Sequence, residues 1–186
     1  MWIVVLLNGG YGVIELGAGF LGDSQALKAD ALDLLGDGII SLLGLLAIEW
    51  NPHWRARAAL AQGAFLGLLG AGVLALTVYR LFEPTAPEAS VMGVVGLGAL
   101  AVNLGAAFVL LPHRTGDANM RAVWLFSRND ALCNIAVVIA AVFVAILDSN
   151  WPDLVVAFAI SLLFLQSSRS IIADSTAELR SGTVRG

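Results

Sequence analysis

The sequence predicts an all-α integral membrane protein built as a bundle of six transmembrane helices. Of its 186 residues, 59% are hydrophobic, and its mean hydropathy is +0.86. Charged residues make up only 13%, against roughly 25% in ordinary soluble domains. The apolar residues also gather into segments of about 20, the length that a helix needs to cross a bilayer core. These three observations exclude a soluble globular domain.

Six segments meet this length requirement, and short polar or Pro-containing stretches separate them. The spans are expected at about residues 2–22, 29–49, 58–81, 90–111, 121–147 and 153–172. Because every connection is short, the helices should form one bundle without an inserted soluble domain. Residues 173–186 are then expected to form a short tail.

Each segment has its own justification in the sequence. The first, "WIVVLLNGG", follows no basic stretch, so it is interpreted as a span rather than a cleaved signal peptide. The second follows the turn "GDSQAL", and "EWNPHWRAR" separates it from the third. The third and fourth are rich in Gly and Ala, which lets helices pack closely in lipid. "PHRTGDANMR" and "DSNWPD" mark the starts of the fifth and sixth.

The distribution of Lys and Arg predicts that both termini are cytoplasmic, since cytoplasmic loops carry an excess of these residues. One set of helix ends carries Arg55, Arg57, Arg114, Arg121, Arg169, Arg180 and Arg185. The opposite set carries only Lys28 and Arg80, among several acidic residues.

The second span contains three carboxylates within its apolar sequence. Asp30, Asp33 and Asp37 are spaced i, i+3 and i+7, so they project from one helical face. A carboxylate at the bilayer centre costs about 2.5–3.5 kcal/mol on insertion scales. Such a face is tolerable when its carboxyls are protonated or bound to a cation, which indicates a site where protons and a metal compete.

The fifth span offers a matching face, with Asp130 and Asn134 at i and i+4. Counted along the helices, Asp37 and Asp130 each lie roughly 12–14 Å from the nearer membrane surface. Together with Asp33 they form a predicted metal site of Asp33, Asp37, Asp130 and Asn134. Three carboxylates and one amide oxygen suit a four-coordinate divalent ion, whereas Ca²⁺ and Mg²⁺ favour higher coordination numbers.

Several of these polar residues also have a second interpretation. Asp30, near the outer end of its helix, either faces water or belongs to the buried face. Asn134 is either a ligand or the partner of an interhelical hydrogen bond, and Asn8, Glu15 and Asn103 are interpreted as polar contacts between helices. Arg128 is expected to reach the cytoplasm or to meet Glu15.

Other functional classes find little support in the sequence. No Walker loop, G-x-S-x-G or H-E-x-x-H motif occurs, so neither an enzyme nor a resident cofactor is expected. The single Cys133 excludes a disulfide framework. The alternative to a transporter is a non-transporting membrane subunit whose buried acids are structural.

Taken together, these motifs resemble the cation diffusion facilitator family. In that family's opening, Asn and Glu occupy positions like Asn8 and Glu15, and a Ser-x-Ala-Leu-x-Ala-Asp-Ala run precedes a His/Asp-x-x-x-Asp pair. Here the run begins at Ser24 and the pair is Asp33 and Asp37, while Asp130 matches the aspartate of the second binding helix. The resemblance extends over essentially the whole chain.

The resemblance implies export of a divalent transition metal in exchange for protons by alternating access. It also implies a homodimer in a membrane, expected to be a bacterial inner membrane, with no nucleic-acid partner. The sequence differs from many members in having Phe126 and Asp33 where they have His, and His53 and His113 lie in loops. With an all-oxygen site, Zn²⁺ is the first expected substrate, and Cd²⁺, Co²⁺, Mn²⁺ and Fe²⁺ are the alternatives. The chain is expected to be a short form without the family's C-terminal cytoplasmic domain.

Overall fold

The computed structural model describes residues 2–46, 50–83, 85–110 and 118–182. Within these ranges it leaves undescribed the side chains of residues 3, 4, 44, 52, 106, 107, 109, 110, 118–129, 181 and 182. These ranges contain helices and no strand. The helices, in chain order, are α1 Trp2–Leu21, α2 Gln25–Leu46, α3 Pro52–Arg80, α4 Ala89–Leu110, α5 Ala118–Leu147 and α6 Trp151–Gly182. The prediction of an all-α bundle is therefore confirmed.

Several helices extend beyond the apolar segments that predicted them. α2 begins at Gln25 rather than 29, α3 begins at Pro52 rather than 58, and α6 continues to Gly182 rather than ending at 172. Hydropathy marks only the apolar part of a helix, whereas the backbone continues until a cap or turn ends it. Of the predicted spans and tail, residues 47–49, 111 and 183–186 lie outside the described residues.

The start of α3 shows how polar sequence begins a helix ahead of the apolar segment. Asn51 Oδ1 accepts a hydrogen bond from the backbone N–H of His53 at 3.0 Å. Pro52 occupies the first helical position, where its missing N–H costs nothing and its fixed φ suits the helix. This cap explains why α3 starts earlier than hydropathy predicts.

α2 occupies the centre of the bundle. The pairs α1–α2, α3–α6 and α4–α5 pack most extensively, and α2 is in contact with each of the other five helices. Ala26, Leu27 and Ala31 of α2 are completely buried. The first half of α2 therefore lies in the interior of the bundle, whereas Ile40 and Leu46 further along it are exposed.

Glycines allow the closest helix contacts. A Cβ atom on Gly12 of α1 would lie 2.9 Å from Leu35 Cγ of α2, and one on Gly70 of α3 would lie 2.7 Å from Phe164 Cδ1 of α6. The interpretation of the Gly-rich segments as packing surfaces fits these contacts, because small residues let helix backbones approach.

The three turns at one end of the bundle are tied together, and we call this end the Asp23 end. The backbone N–H of Glu88 donates to Gly22 O at 2.8 Å. Asn150 Nδ2 donates to Arg80 O at 3.2 Å and to Glu83 O at 2.8 Å, and the Arg80 guanidinium pairs with Asp23. The opposite end, which we call the terminal end, holds the start of α1 and the end of α6.

Long apolar helices and an apolar exterior identify a membrane protein. Among the described residues, three helical stretches are long and apolar enough to cross a bilayer: His53–Arg80, Asp130–Leu147 and Trp151–Arg180. Val5–Leu21 and Ala89–Gly105 are apolar but shorter, and α2 carries three aspartates and Lys28. Leu68 and Phe108 are among many large apolar side chains that are exposed on the outside, as expected of a lipid-facing surface.

Candidate metal centre

The acidic face of α2 points into the bundle. Asp30 is 1% exposed, while Asp33 and Asp37 retain part of their accessible surface. The i, i+3, i+7 spacing explains why one helix aligns all three. For Asp30, the interpretation as a water-facing residue is wrong, because α1 and α5 cover this part of α2.

Asp130 of α5 faces the same group. Its carboxyl is within hydrogen-bonding reach of both Asp33 and Asp37, and the residue is 9% exposed. Asp130 Oδ2 receives no hydrogen bond from any donor in the described residues. Carboxylates have only acceptor atoms, so three that face one another require protons or a cation between them.

The carboxyl groups of this cluster do not form a ready-made metal site in the described residues. Among the residues that the structure describes, no three His, Cys, Asp or Glu side chains are arranged as ligands of one metal ion. Binding a divalent ion at Asp33, Asp37 and Asp130 would therefore require rotation of their side chains. Asp33 and Asp37 are partly exposed, whereas Asp130 is buried.

Asn134 lies one turn from Asp130 on α5, but it faces different partners. Asn134 Nδ2 donates to Asp30 Oδ2 at 2.8 Å, and its Oδ1 accepts a hydrogen bond from Asn103 Nδ2 at 3.4 Å. Asn134 and both of its partners are buried. The geometry corresponds to the interhelical hydrogen bond considered from sequence, and metal ligation by Asn134 stays a prediction.

Asp153 is a buried acid whose role the sequence analysis missed. It lies in the first turn of α6, yet its carboxylate accepts hydrogen bonds from Ser24 Oγ at 2.5 Å, from Gln25 N at 2.8 Å and from Ala26 N at 3.0 Å. Ser24 Oγ in turn accepts from Leu27 N at 3.1 Å. The start of α2 is thus capped by a residue of α6. This cap holds the start of α2, and with it the acidic face, in position beside α6.

Charged side chains also surround the start of α2 at the Asp23 end. Lys28 Nζ lies 3.6 Å from Asp23 Oδ1 and 4.8 Å from the centroid of the Phe20 ring. Lys28 is 5% exposed, so its charge is held by these two partners. Lys28 precedes Asp30 by two residues on the same helix, about half a turn, so the two side chains leave α2 in different directions.

Some predicted contacts lie outside the described residues. Arg128 was considered as a partner of Glu15, and Phe126 stands where many family members have His. The side chains of both residues are among those that are not described. The same holds for Arg114 and Arg185, which entered the prediction of orientation.

An all-helical bundle with apolar membrane-spanning helices and an apolar exterior belongs to the class of polytopic α-helical membrane proteins. The model of the cation efflux transmembrane domain matches residues 1–180. The chain therefore belongs to the cation efflux family, whose members are transporters rather than enzymes, and the resemblance to the cation diffusion facilitators is confirmed.

Curated relatives support this assignment. The chain is 26% identical over 188 residues to the cadmium, cobalt and zinc/H(+)-K(+) antiporter of Bacillus subtilis, covering 94% of this chain and 60% of that protein. It is 28% identical to the zinc transporter ZitB of Escherichia coli, with 95% and 60% covered. For the metal cation efflux system protein CzcD of Cupriavidus metallidurans the identity is 26%, with 97% and 61% covered. The chain thus spans about three-fifths of the length of these relatives.

Proposed function

We propose that this protein exports a divalent transition-metal cation from the cytoplasm in exchange for protons. The observation that carries the proposal is the placement of Asp130 of α5 against Asp33 and Asp37 of α2. α2 is the helix that is in contact with each of the other five. A cluster of carboxylates in which Asp130 Oδ2 receives no hydrogen bond from the described residues is suited to hold either protons or a metal ion. Cation efflux is also the activity named for the relatives.

Zn²⁺ is the proposed first substrate. Carboxylate oxygens bind several divalent ions, and affinity in such sites generally rises from Mn²⁺ through Co²⁺ towards the end of the series. His53, exposed in the first turn of α3, is the one imidazole among the described residues, and it lies on a different helix from the acidic face. Cd²⁺, Co²⁺, Mn²⁺ and Fe²⁺ are therefore proposed as alternative substrates.

The proton enters the mechanism through the ligands themselves. A carboxylate must be ionised to ligate a metal, so binding releases the protons that the cluster holds when it is empty. Alternating access then requires the cluster to open to one side of the membrane at a time. The tied turns at the Asp23 end support an arrangement in which that side is closed.

The orientation and the assembly of the protein are part of the proposal. Arg55, Arg57 and Arg169 lie towards the terminal end, which supports placing both termini in the cytoplasm. The bacterial relatives support a bacterial inner membrane. A homodimer held by the helices is also proposed, and cross-linking in native membranes tests it.

The transport experiment uses inverted vesicles or proteoliposomes with an imposed pH gradient. We expect zinc flux that rises with the gradient in the original chain and is lost in Asp37→Asn and Asp130→Asn. Asp174→Asn, at an exposed position on α6, is the matched control and should retain the flux. Flux that persists in both site variants would contradict the proposal and favour a non-transporting subunit whose buried acids are structural.

A further inference from the structure

The start of α3 carries exposed aromatic and basic side chains at the terminal end of the bundle. Trp50 and Trp54 are 43% and 60% exposed, and Arg55 and Arg57 are exposed as well. Ala56, between the two arginines, is 2% exposed, so one side of this turn packs against the bundle and the four large side chains lie outside it. We call residues 50–57 the basic–aromatic segment.

The apolar part of α3 places this segment at the surface of the membrane. Residues 58–79 contain no charged residue, and at 1.5 Å per residue they extend over about 33 Å. This length matches a hydrocarbon core of about 30 Å. Arg57 and Arg80 therefore lie at opposite surfaces of that core. The basic–aromatic segment lies at the level of the lipid headgroups, where tryptophan side chains of membrane proteins concentrate.

The two arginines of the segment have no acidic partner in the described part of the chain. The salt bridges within that part all lie at the Asp23 end. α6 packs against α3 and carries Asp174 and Glu178 towards the terminal end. Neither of these carboxylates forms a salt bridge with Arg55 or Arg57. Two neighbouring positive charges therefore attract an anion from outside the bundle.

Trp54 restrains Arg57 without neutralising it. Arg57 Cζ lies 5.2 Å from the centroid of the Trp54 ring, within the range of a cation–π contact. The indole has an N–H donor and no acceptor oxygen, so the guanidinium keeps its charge and its N–H groups stay available to an anion. A guanidinium presents these N–H groups in a planar fork that matches the oxygens of a phosphate.

We propose that the basic–aromatic segment binds the phosphate headgroup of an anionic phospholipid. Arg55 and Arg57 supply the positive charge. Trp50 and Trp54 lie against the boundary between headgroups and acyl chains, where amphipathic rings are favoured. A zwitterionic phospholipid offers the same phosphate but carries its own cation beside it, so it should bind more weakly. The proposal does not rest on metal transport, and it holds for either orientation of the chain in the membrane.

Quenching of tryptophan fluorescence by brominated phospholipids tests this site with the full chain in nanodiscs. Titrating the brominated fraction in phosphatidylcholine gives the relative affinity of each lipid for the protein surface near the tryptophans. We expect brominated phosphatidylglycerol to bind about fivefold more tightly than brominated phosphatidylcholine, because each basic residue near a membrane surface favours anionic lipid. Equal quenching by the two lipids in the original chain would overturn the proposal.

Variants assign the preference to the segment. Arg55→Gln combined with Arg57→Gln should abolish it, whereas Trp54→Phe should remove most of the additional quenching because the nearest reporter is lost. Arg169→Gln, at an exposed arginine of α6, is the matched control and should retain the preference. Circular dichroism identifies the variants that fold. A preference that persists in the folded double variant would contradict the site.

Inorganic phosphate distinguishes a lipid site from a site for soluble anions. It shares the phosphate group but lacks the acyl chains that place a lipid beside Trp50 and Trp54. At millimolar concentration and constant ionic strength, it should leave the additional quenching by phosphatidylglycerol unchanged. Loss of that quenching on adding phosphate would show a soluble-anion site and would contradict the assignment to lipid.

Discussion

The buried aspartates differ in what their oxygens contact, and from that difference we propose a structural role for Asp153 and a functional one for Asp130. Asp153 receives a hydroxyl and two backbone N–H groups, so its ionised form is satisfied by the fold alone. Asp130 faces Asp33 and Asp37, which supply acceptors. An acid that lacks donors needs a proton or a cation, whereas an acid rich in donors does not.

At the metal centre, removing one carboxylate should weaken binding. We expect Asp130→Asn to lower zinc affinity at least tenfold, equivalent to about 1.4 kcal/mol, because one charged ligand becomes neutral. Calorimetry of the purified protein measures the affinity. Asp174→Asn should bind as the original chain does, and an unchanged affinity for Asp130→Asn would remove Asp130 from the site.

The cap on α2 should matter for stability. We expect Asp153→Ala to lower the free energy of unfolding by about 2 kcal/mol, since Ser24 and the first N–H groups of α2 lose their acceptor. Thermal unfolding followed by circular dichroism measures the change. Asp153→Asn keeps one acceptor oxygen and should lose less. Equal stability of Asp153→Ala and the original chain would show that the cap contributes nothing.

The sequence predicted the face shared by Asp30, Asp33 and Asp37, because that face follows from helical periodicity. It did not predict the role of Asp153, because the cap and the helix it caps are far apart in sequence and only the packing of α6 beside α2 brings them together. The burial of Asp30 was undecided for the same reason, since it depends on which helices cover it.

At the scale of elements, the glycines of α3 separate a packed face from an exposed one. Gly70 lies against Phe164 and Leu165 of α6, whereas a Cβ on Gly72 would meet nothing within 4 Å. The same substitution on one helix should therefore have opposite effects. This contrast tests the α3–α6 contact without touching the candidate site.

We expect Gly70→Ala to destabilise the protein by about 1–3 kcal/mol through overpacking. Gly72→Ala should be neutral or stabilising by up to about 1 kcal/mol, because alanine is the better helix former. Thermal midpoints of the two variants in the same detergent measure the difference. If both variants behave alike, α3 and α6 do not pack in this register.

Helix ends were the least predictable elements. Residues beyond 172 are polar, yet α6 continues because Ile171 and Ile172 pack against Gly63 of α3 and Ser175 is buried. Hydropathy detects the apolar part of a span. It does not detect the part of a helix in which polar and apolar residues alternate. The six helices were predictable from segment length, but their ends depended on tertiary contacts.

At the scale of the whole molecule, the acidic face lies along α2, with the tied turns of the Asp23 end beyond it. Asp30 is nearer to those turns, and Asp33, Asp37 and Asp130 are further inside. α2, which carries Asp33 and Asp37, is in contact with every other helix. A central acidic helix is therefore a suitable element for coupling protons to a metal.

The most direct test of this account is a zinc titration by calorimetry, repeated in buffers of different ionisation enthalpy, which counts the protons released on binding. The account predicts at least one proton released per ion at neutral pH, since ligating carboxylates must be ionised. Affinity should fall as the pH is lowered, because protons then compete for the same oxygens. Binding that releases no proton, with an affinity independent of pH, would contradict the exchange of metal for protons at Asp33, Asp37 and Asp130.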